Sequence, residues 1–538
     1  MSTPNLLESL TDNIVIDKDK CTFCGICVER CILDNLRLQL APCRAACPLG
    51  VNCQGYVQLI ARGQEEEARR EMYRSLPFPE ILGRVCSQPC EDACHRRQME
   101  GQAVAIRALK RYLMADAQGA AAPLPEMAPA SGRWVAVVGA GPAGLMAAHD
   151  LRCRGHAVVV IDGEAEPGGM LRWAIPEFRL PREALERELD LLRRMGVEFH
   201  CGVRLGDKRS LESLKEEYDA VLLALGCQAP VRLGLSGEDL DGVFHGLDFL
   251  RAVRRGEKPV VGERVVVIGG GNVAVDVAQT SLRLGAGEVV MACLESREEM
   301  PAFAWELEGA LAEGVRLECR LAPAEIKGRG GRVHGVEFMA CLSVFDEQGA
   351  FSPTCNPDNR RSLPADTVIL AVGQRRSQSD LEAAGLAGGL WREVDPLTLQ
   401  TGDPKLFAAG DLVSGPGSVV EAMAAGRRAA ESIHRYLSGE DLVYGRRYAG
   451  PVESDFEIDT SRGSDLGRTA LNYRRAAGPG DFGEVELPLS RDAARKEASR
   501  CYSCGQPVGR YRTCWFCLPC EVECPHQALW VEVPYLLR

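Results

Sequence analysis

Four stretches of the chain are apolar at nearly every position, and each ends on a turn-forming or acidic residue. Residues 134–138 and 264–268 run directly into glycines, whereas 158–161 and 289–294 end at Asp162 and Glu295. Unbroken apolar runs of this length predict parallel strands covered on both faces, because a half-solvated strand would alternate. Between the members of each pair lies a segment expected to be helical, 142–154 and 272–284. Each pair therefore reads as strand, tight turn, helix, strand, the unit of a doubly wound α/β sheet. Elsewhere the pattern changes. Residues 56–75 place Val57, Leu59, Ile60, Ala68, Met72 and Tyr73 on a polar background, which predicts one amphipathic helix. Residues 120–133 are rich in Ala and Pro and read as a linker. Residues 438–489 are polar, with Tyr444, Tyr448, Phe456, Tyr473 and Phe482 as anchors for an extended wrap. Ser490 is placed to cap a short helix over 491–499.

The turns carry the first chemistry. Gly139-Ala140-Gly141-Pro142-Ala143-Gly144 follows the first strand, and Gly269-Gly270-Gly271-Asn272-Val273-Ala274 follows the third. Such glycines permit the tight turn, the close approach of a pyrophosphate and close helix–strand packing, with the helix N-terminus facing the phosphates. Asp162 and Glu295, at the ends of the following strands, are placed to accept from ribose hydroxyls. Two dinucleotide sites in one chain predict a flavin and a nicotinamide.

Composition narrows the class. At 538 residues, roughly 100–200 per domain predicts three or four domains. Sixty-three Lys+Arg against 75 Asp+Glu give −12, which disfavours a nucleic-acid partner. No apolar run reaches the roughly 18 residues of a membrane span, and the first residues lack a basic and then apolar leader, so neither membrane insertion nor secretion is expected. A cytoplasmic protein is the expectation.

Twenty-three cysteines are unevenly spread. Cys21-x2-Cys24-x2-Cys27-x3-Cys31 and Cys514-x2-Cys517-x2-Cys520-x3-Cys524-Pro525 both have bacterial ferredoxin spacing, with Ile32 standing where proline is usual in the first. A zinc knuckle is the alternative, but zinc sites use separated C-x2-C pairs. Between the runs lie Cys43, Cys47, Cys53, Cys86, Cys90 and Cys94, and Cys501-x2-Cys504 precedes the second run. Ten cysteines at one end and six at the other leave the ligand count open: ten exceed two clusters, and six exceed one. One resolution is that the two terminal runs dock as halves of a single two-cluster module. The seven central cysteines lack ligand spacing and are expected to be small buried residues.

Cys43-x3-Cys47-Pro48 and Gly83-Arg84-Val85-Cys86-x3-Cys90 resemble the N-terminal domain of glutamate synthase small subunits. They also resemble the N-terminal part of dihydropyrimidine dehydrogenase and the large subunit of NADH-dependent ferredoxin:NADP oxidoreductase. The resemblance implies a family of FAD/NAD(P)/iron–sulfur oxidoreductases, here with ferredoxin-type motifs added at both ends. It implies two 4Fe-4S clusters in the helical domain. The relatives carry a C-x2-C shortly before the position of Cys43, which is missing here, and Cys53 has no counterpart in them. Further family marks are Gly168-Gly169-Met170, Ala224-Leu225-Gly226, Ala371-Val372-Gly373 and Ala409-Gly410-Asp411. They imply that Asp411 lies against the FAD ribityl chain and that a helix beginning near Ser418-Val419-Val420 aims its positive end at the flavin. Glutamate synthase small subunits carry two arginines where Leu294 and Glu295 stand here. A carboxylate there favours NADH over NADPH, although Arg297 is close enough in sequence to serve a phosphate.

The expected order is a ferredoxin-like segment (1–40), a helical cysteine-rich domain (41–119) and a discontinuous FAD domain (134–233 and 363–440). An inserted NAD domain (234–362), a connecting segment (441–500) and a second ferredoxin-like segment (501–538) complete it. His95 and His526 border cluster cysteines and are expected beside them rather than as ligands. Glu65-Glu66-Glu67 and Arg427-Arg428 read as solvated helix faces. No catalytic nucleophile or acid–base pair is called for. The reading is an electron-transfer subunit exchanging hydride between NAD(H) and FAD, with several 4Fe-4S clusters passing single electrons to or from another redox subunit or a ferredoxin. An aldehyde oxidoreductase is one such partner by analogy. The alternatives are an NADPH-dependent glutamate synthase small subunit and a non-catalytic relay or assembly module.

Overall fold

A computed structural model describes residues 14–32, 35–117, 121–386, 388–389, 391–446, 448, 450–509, 514 and 517–532. Two five-stranded parallel sheets form its centre. The first has the order Leu406–Ala408, Ala220–Leu223, Trp134–Val138, Ala157–Asp162, Glu198–Cys201. The second runs Arg316–Glu318, Glu288–Ala292, Arg264–Ile268, Thr367–Leu370, Val243–His245. All four apolar runs are strands buried on both faces, with Val135, Val137, Val160, Val265 and Val267 almost fully covered. Their register is regular: Trp134 faces Ala157 and Val138 faces Ile161, while Arg264 faces Glu288 and Ile268 faces Ala292. Each glycine turn therefore sits at the carboxyl end of a central strand, where α/β sheets bind ligands.

Strand Thr367–Leu370 pairs with Arg264–Ile268 and with Val243–His245, so the second sheet takes residues expected to belong to the first domain. A three-stranded antiparallel sheet, Leu321–Arg329, Arg332–Phe345 and Phe351–Pro364, covers the second sheet through Ile326, Val336 and Phe338. The chain must return to complete its parallel neighbour before crossing back.

The amphipathic segment 56–75 is two helices, Cys53–Ala61 and Glu65–Tyr73, broken where Gly63 adopts φ +73°. The left-handed turn lets both helices bury apolar faces in one core, a conformation that glycine allows at little cost. The two solvated-face assignments also change. Glu65 is buried and accepts from Arg495 Nη2 (2.9 Å) and Tyr112 Oη (3.2 Å). Arg427 donates to Asp150 Oδ2 (3.0 Å), the Leu49 carbonyl (3.0 Å) and the Ser75 carbonyl (2.9 Å). Glu66 and Arg428 are exposed as expected. Of the central cysteines, Cys227, Cys293 and Cys341 are buried and the other four half-buried.

The chain ends meet. Strand Ile14–Ile16 pairs antiparallel with Leu529–Val531, and Leu36–Gln39 pairs with Pro507–Gly509. Cys27, Val28, Leu36, Cys520 and Leu529 share one small core. The terminal segments, separate in the expected order of domains, pair with one another as the docking alternative has them.

Helix Val419–Ser438 crosses helix Pro142–Cys153 at backbone contact distance, because Gly426 lies against Ala143. A methyl at Gly426 would strike the Ala143 carbonyl oxygen. Gly426→Ala is therefore expected to cost about 1–3 kcal/mol through overpacking, read as a lowered thermal unfolding midpoint.

Candidate functional site

Both glycine turns open on one cavity of about 1130 Å³. Gly139 (φ +112°) makes the first turn, and Gly144 packs so closely on the Gly139 carbonyl that a side chain there has no room. Gly141 faces open space, and with Pro142 and Ala143 it lines the cavity. Ala140 and Gly144 shape the turn without lining it. Asp162 is tied to the turn: its carboxylate accepts from the Ala140 N–H (2.6 Å) and the Glu164 N–H (2.8 Å), and burial raises its pKa. Gly168 donates its N–H to the Ala140 carbonyl (2.9 Å), which brings Gly169 against Gly141 and Met170 into the wall. Gly226 (φ +68°) and Gly410 (φ +71°) line the same space.

Asp411 lines it too, and burial pushes its carboxyl up to about 6. Beside it, Ser418 and Glu421 form a capping box at the start of the twenty-residue helix Val419–Ser438. The box satisfies the Ser418 and Glu421 N–H groups and leaves those of Val419 and Val420 at the helix's open positive end. Val419 lines the cavity, while the Val420 side chain is buried behind it.

The second turn enters from the other side. Gly269 (φ +143°), Gly270 and Gly271 line the cavity with Asn272, Val273 and Gly373. Asn272 Oδ1 accepts from the Phe303 N–H (2.8 Å). The Glu295 carboxylate rests against Gly270 and lines the cavity; Arg297 is exposed and does not line it.

Three residues of this cavity's surroundings were not legible in the sequence. Arg179 grips both oxygens of Asp276 (2.8 Å each) and also pairs with Glu306. Arg179 and Asp276 line the cavity between the two glycine turns. The available signal was Asp276 itself, a lone acid among Val273, Ala274, Val275, Val277 and Ala278. Burial, worsened by Asp276 and eased by Arg179, pushes Glu306 up to about 7.

The thiols form two groups. At the chain ends, Cys21 has Cys24 and Cys524 as neighbours, and Cys27 has Cys21, Cys24, Cys524 and Cys520. Cys520 has Cys31, Cys514 and Cys517. Burial pushes the Cys21 thiol up to about 12. In the helical domain, Cys53 shares thiol hydrogen bonds with Cys43 and Cys90, and Cys86 neighbours Cys90 and Cys47. Cys504 neighbours Cys501 and Cys94. A small cavity of about 30 Å³ lies among Cys43, Cys53, Cys94, Cys501 and Cys504. Among the described residues, no three His, Cys, Asp or Glu side chains converge on a point for a single metal ion. A donor set made wholly of soft thiols, in two crowded groups, fits iron–sulfur clusters. Lys110 was also missed: it is buried, and its ammonium faces Cys86, Cys90, Cys53 and Cys47.

The helical domain touches the large cavity, whose wall includes Val85 and Ser87 on either side of Cys86. No helix among the described residues is long and apolar enough to cross a membrane.

Comparison with known families matches residues 133–426 to pyridine nucleotide-disulphide oxidoreductases. Residues 27–121 match dihydropyrimidine dehydrogenase domain II, 4Fe-4S cluster, and residues 14–33 a 4Fe-4S binding domain. The chain is 36% identical to the NADP(+)-dependent formate dehydrogenase subunit beta of Moorella thermoacetica, over 86% of this chain and 70% of that one. It is 33% identical to the NADPH-Fe(3+) oxidoreductase subunit beta of Geobacter sulfurreducens, over 86% and 75%. It is 35% identical to the glutamate synthase [NADPH] small chain of Escherichia coli, over 73% and 88%. Among solved structures, Mycobacterium tuberculosis FprA in complex with NADPH shares the fold, with TM-score 0.50 and 21% identity over 58% of this chain and 85% of that one.

Glu306 yields a test of the buried network. Between the ordinary carboxylate range and about pH 7, the folded chain holds a proton on Glu306 that the unfolded chain has lost. Its contribution to stability is complete below pH ~4.5 and is lost as pH rises through about 7. Glu306→Gln should remove roughly 1–3 kcal/mol of that decline, measured by thermal unfolding across this window.

Proposed function

The chain belongs to the pyridine nucleotide-disulphide oxidoreductase family, and on that footing we propose that it is the NAD(P)H-reactive electron-transfer subunit of a larger redox enzyme. One observation carries the reading. The cavity that takes both dinucleotide turns is walled on one side by Val85 and Ser87, which flank the buried Cys86 thiol. A hydride acceptor bound there would lie against the segment that carries a cluster ligand.

The chemistry that FAD and 4Fe-4S clusters supply is the conversion of a two-electron hydride into single electrons. The chain's own groups divide the remaining work. The turn from Gly139 to Gly144 and the start of helix Pro142–Cys153 would receive the FAD pyrophosphate. Asp411 would accept from the ribityl hydroxyls, and the N–H groups of Val419 and Val420 would favour negative charge on the flavin pyrimidine. The turn from Gly269 to Val273 would receive the nicotinamide dinucleotide. No side chain is required as a nucleophile.

NADH is the proposed nicotinamide. Glu295 can accept from a free ribose 2′-hydroxyl and repels a 2′-phosphate, and Arg297 stands outside the cavity. NADPH is the second reading, favoured by the printed names of the relatives. The subunit names among those relatives support an acceptor in another polypeptide, a second redox subunit or a ferredoxin. The glutamate synthase small-chain reading loses support from the two terminal cysteine runs and from Leu294 and Glu295.

Anaerobic titration of the purified chain with each nucleotide tests this. NADH should bleach the flavin absorbance with a kcat/KM at least tenfold above that for NADPH, and Glu295→Gln should narrow the ratio. Failure of both nucleotides to bleach bound flavin would leave only a relay or assembly role. Lys110→Met should lower the midpoint potential of one cluster, read by EPR-monitored redox titration, because a buried cation stabilises the more negative, reduced form.

A further inference from the structure

We infer that Cys501 and Cys504, from the far end of the chain, join Cys43 and Cys94 as the four ligands of one 4Fe-4S cluster. This rests on the reading above that the thiol groups hold iron–sulfur clusters. It goes beyond that reading by assigning all sixteen candidate cysteines to complete sets of four.

Sorted by their neighbours and by the cavity they line, the sixteen thiols divide into four sets, with Cys53 in contact with both sets of the helical domain. In the terminal module, Cys21, Cys24 and Cys27 take Cys524 as their fourth, and Cys514, Cys517 and Cys520 take Cys31. Each run thus lends its last cysteine to the other, the sharing that this spacing gives in two-cluster ferredoxins. In the helical domain, Cys47, Cys53, Cys86 and Cys90 surround the buried Lys110. Four thiols remain: Cys43, Cys94, Cys501 and Cys504. They line one small cavity, which Cys53 borders as the link to the neighbouring set; Cys504 has Cys501 and Cys94 for neighbours, and Cys43 touches Cys53 and Cys90 on one side and Cys501 and Cys504 on the other. Ten and six, each indivisible by four, become four fours.

The segment bearing Cys501 and Cys504 is built to stay there. Arg500 is fully buried, pairs with the fully buried Glu497 (2.7 Å) and donates to the Ala103 (2.9 Å) and Gln102 (3.0 Å) carbonyls. Glu497 accepts in turn from the Ala105 N–H (2.8 Å). Arg96 donates to the Arg500 carbonyl (2.5 Å) and lies over the Tyr502 ring at 5.0 Å. Gln54 reaches Ser503 Oγ (3.1 Å) and the Gly505 carbonyl (2.7 Å). These anchors come from the helices that begin at Cys53 and His95 or from their flanks, and Arg500 also donates to the Leu466 carbonyl (2.8 Å).

Iron and acid-labile sulfide per chain, with cysteine alkylation read by mass spectrometry, test the assignment in anaerobically purified full-length protein. The unaltered chain should hold about sixteen of each. Cys501→Ser/Cys504→Ser should lose a quarter of both while keeping its flavin. Adding Cys43→Ser to that pair should lose no more, since the three residues serve one cluster. Retention of all iron in the double variant, or a second quarter lost on adding Cys43→Ser, overturns the inference. Stepwise chelation of the unaltered protein needs no variant to fold. Cys43, Cys94, Cys501 and Cys504 should become alkylatable together, and alkylation of Cys501 and Cys504 in the intact protein, or together with the terminal-module cysteines, overturns it. Zinc in place of iron, or absence of labile sulfide in the unaltered chain, defeats instead the reading on which this one stands.

Discussion

The crossing of helix Val419–Ser438 over helix Pro142–Cys153 holds the molecule's working parts in relation to one another. Gly426 brings the two backbones together, and the next residue, Arg427, spends its guanidinium on three separate groups: Asp150 on the crossed helix and the carbonyls of Leu49 and Ser75 in the cysteine-rich domain. One end of the crossing helix brings Val419 to the cavity, and its middle fastens the thiol domain against the same sheet. Glu188 makes a second tie, accepting from the Glu80 and Ile81 N–H groups at the start of helix Pro79–Val85. That helix ends at Cys86. Guanidinium on carbonyls is a charge-assisted contact, and the Glu188 carboxyl, pushed well above its usual range by burial and by Glu80, accepts two backbone N–H bonds, so the join is directional rather than merely apolar.

What the sequence disclosed and what it hid divide by range. Strand, glycine turn, helix and acid lie within about thirty residues in each dinucleotide unit, so each chemical demand leaves its mark locally. Asp162 and Glu295 line the cavity for this reason, while Asp411, which also lines it, was marked by the separate Ala409-Gly410-Asp411 motif. The break at Gly63 was local too, but apolar residues on both sides of it kept a helical spacing. Arg179 was hidden because its partners, Asp276 and Glu306, are 97 and 127 residues away. Glu65 and Arg427 read as surface charges because their partners lie at Arg495 and Leu49. The cysteine spacing announced clusters at once, yet the grouping of ligands was illegible, since spacing reports neighbours along the chain and not across it.

Electrostatics gives the buried arginines and Lys110 a common account. The chain is acidic overall, yet Arg96, Arg107, Arg111, Arg500 and Lys110 are all nearly inaccessible in the cysteine-rich domain and its strap. A buried cation survives only against a partner. Arg107 has Glu486, Arg111 has Glu484 and Glu486, and Arg500 has Glu497. Lys110 instead faces four thiols. Thiols are weak partners for an ammonium, while thiolates bound to iron would be strong ones, so the proposed ligand set would give the lysine its partner together with the cluster.

Joining the two ends of the chain is less costly than their separation implies. The closure of a flexible loop of about 460 residues would take roughly 5 kcal/mol on the logarithmic scaling of loop entropy. Here the intervening residues are folded for their own reasons, and each successive tie shortens what remains to be closed: Glu65 with Arg495, Arg107 with Glu486, Ala105 with Glu497. By the time Cys501 is reached, helix Arg491–Ala498 already lies on helix Cys53–Ala61. The strand pairs Ile14–Ile16 with Leu529–Val531 and Leu36–Gln39 with Pro507–Gly509 then close a short span rather than the whole chain. On the proposed ligand sets, shared thiols at both junctions would make this docking a mutual requirement, since neither end would complete its sets without the other.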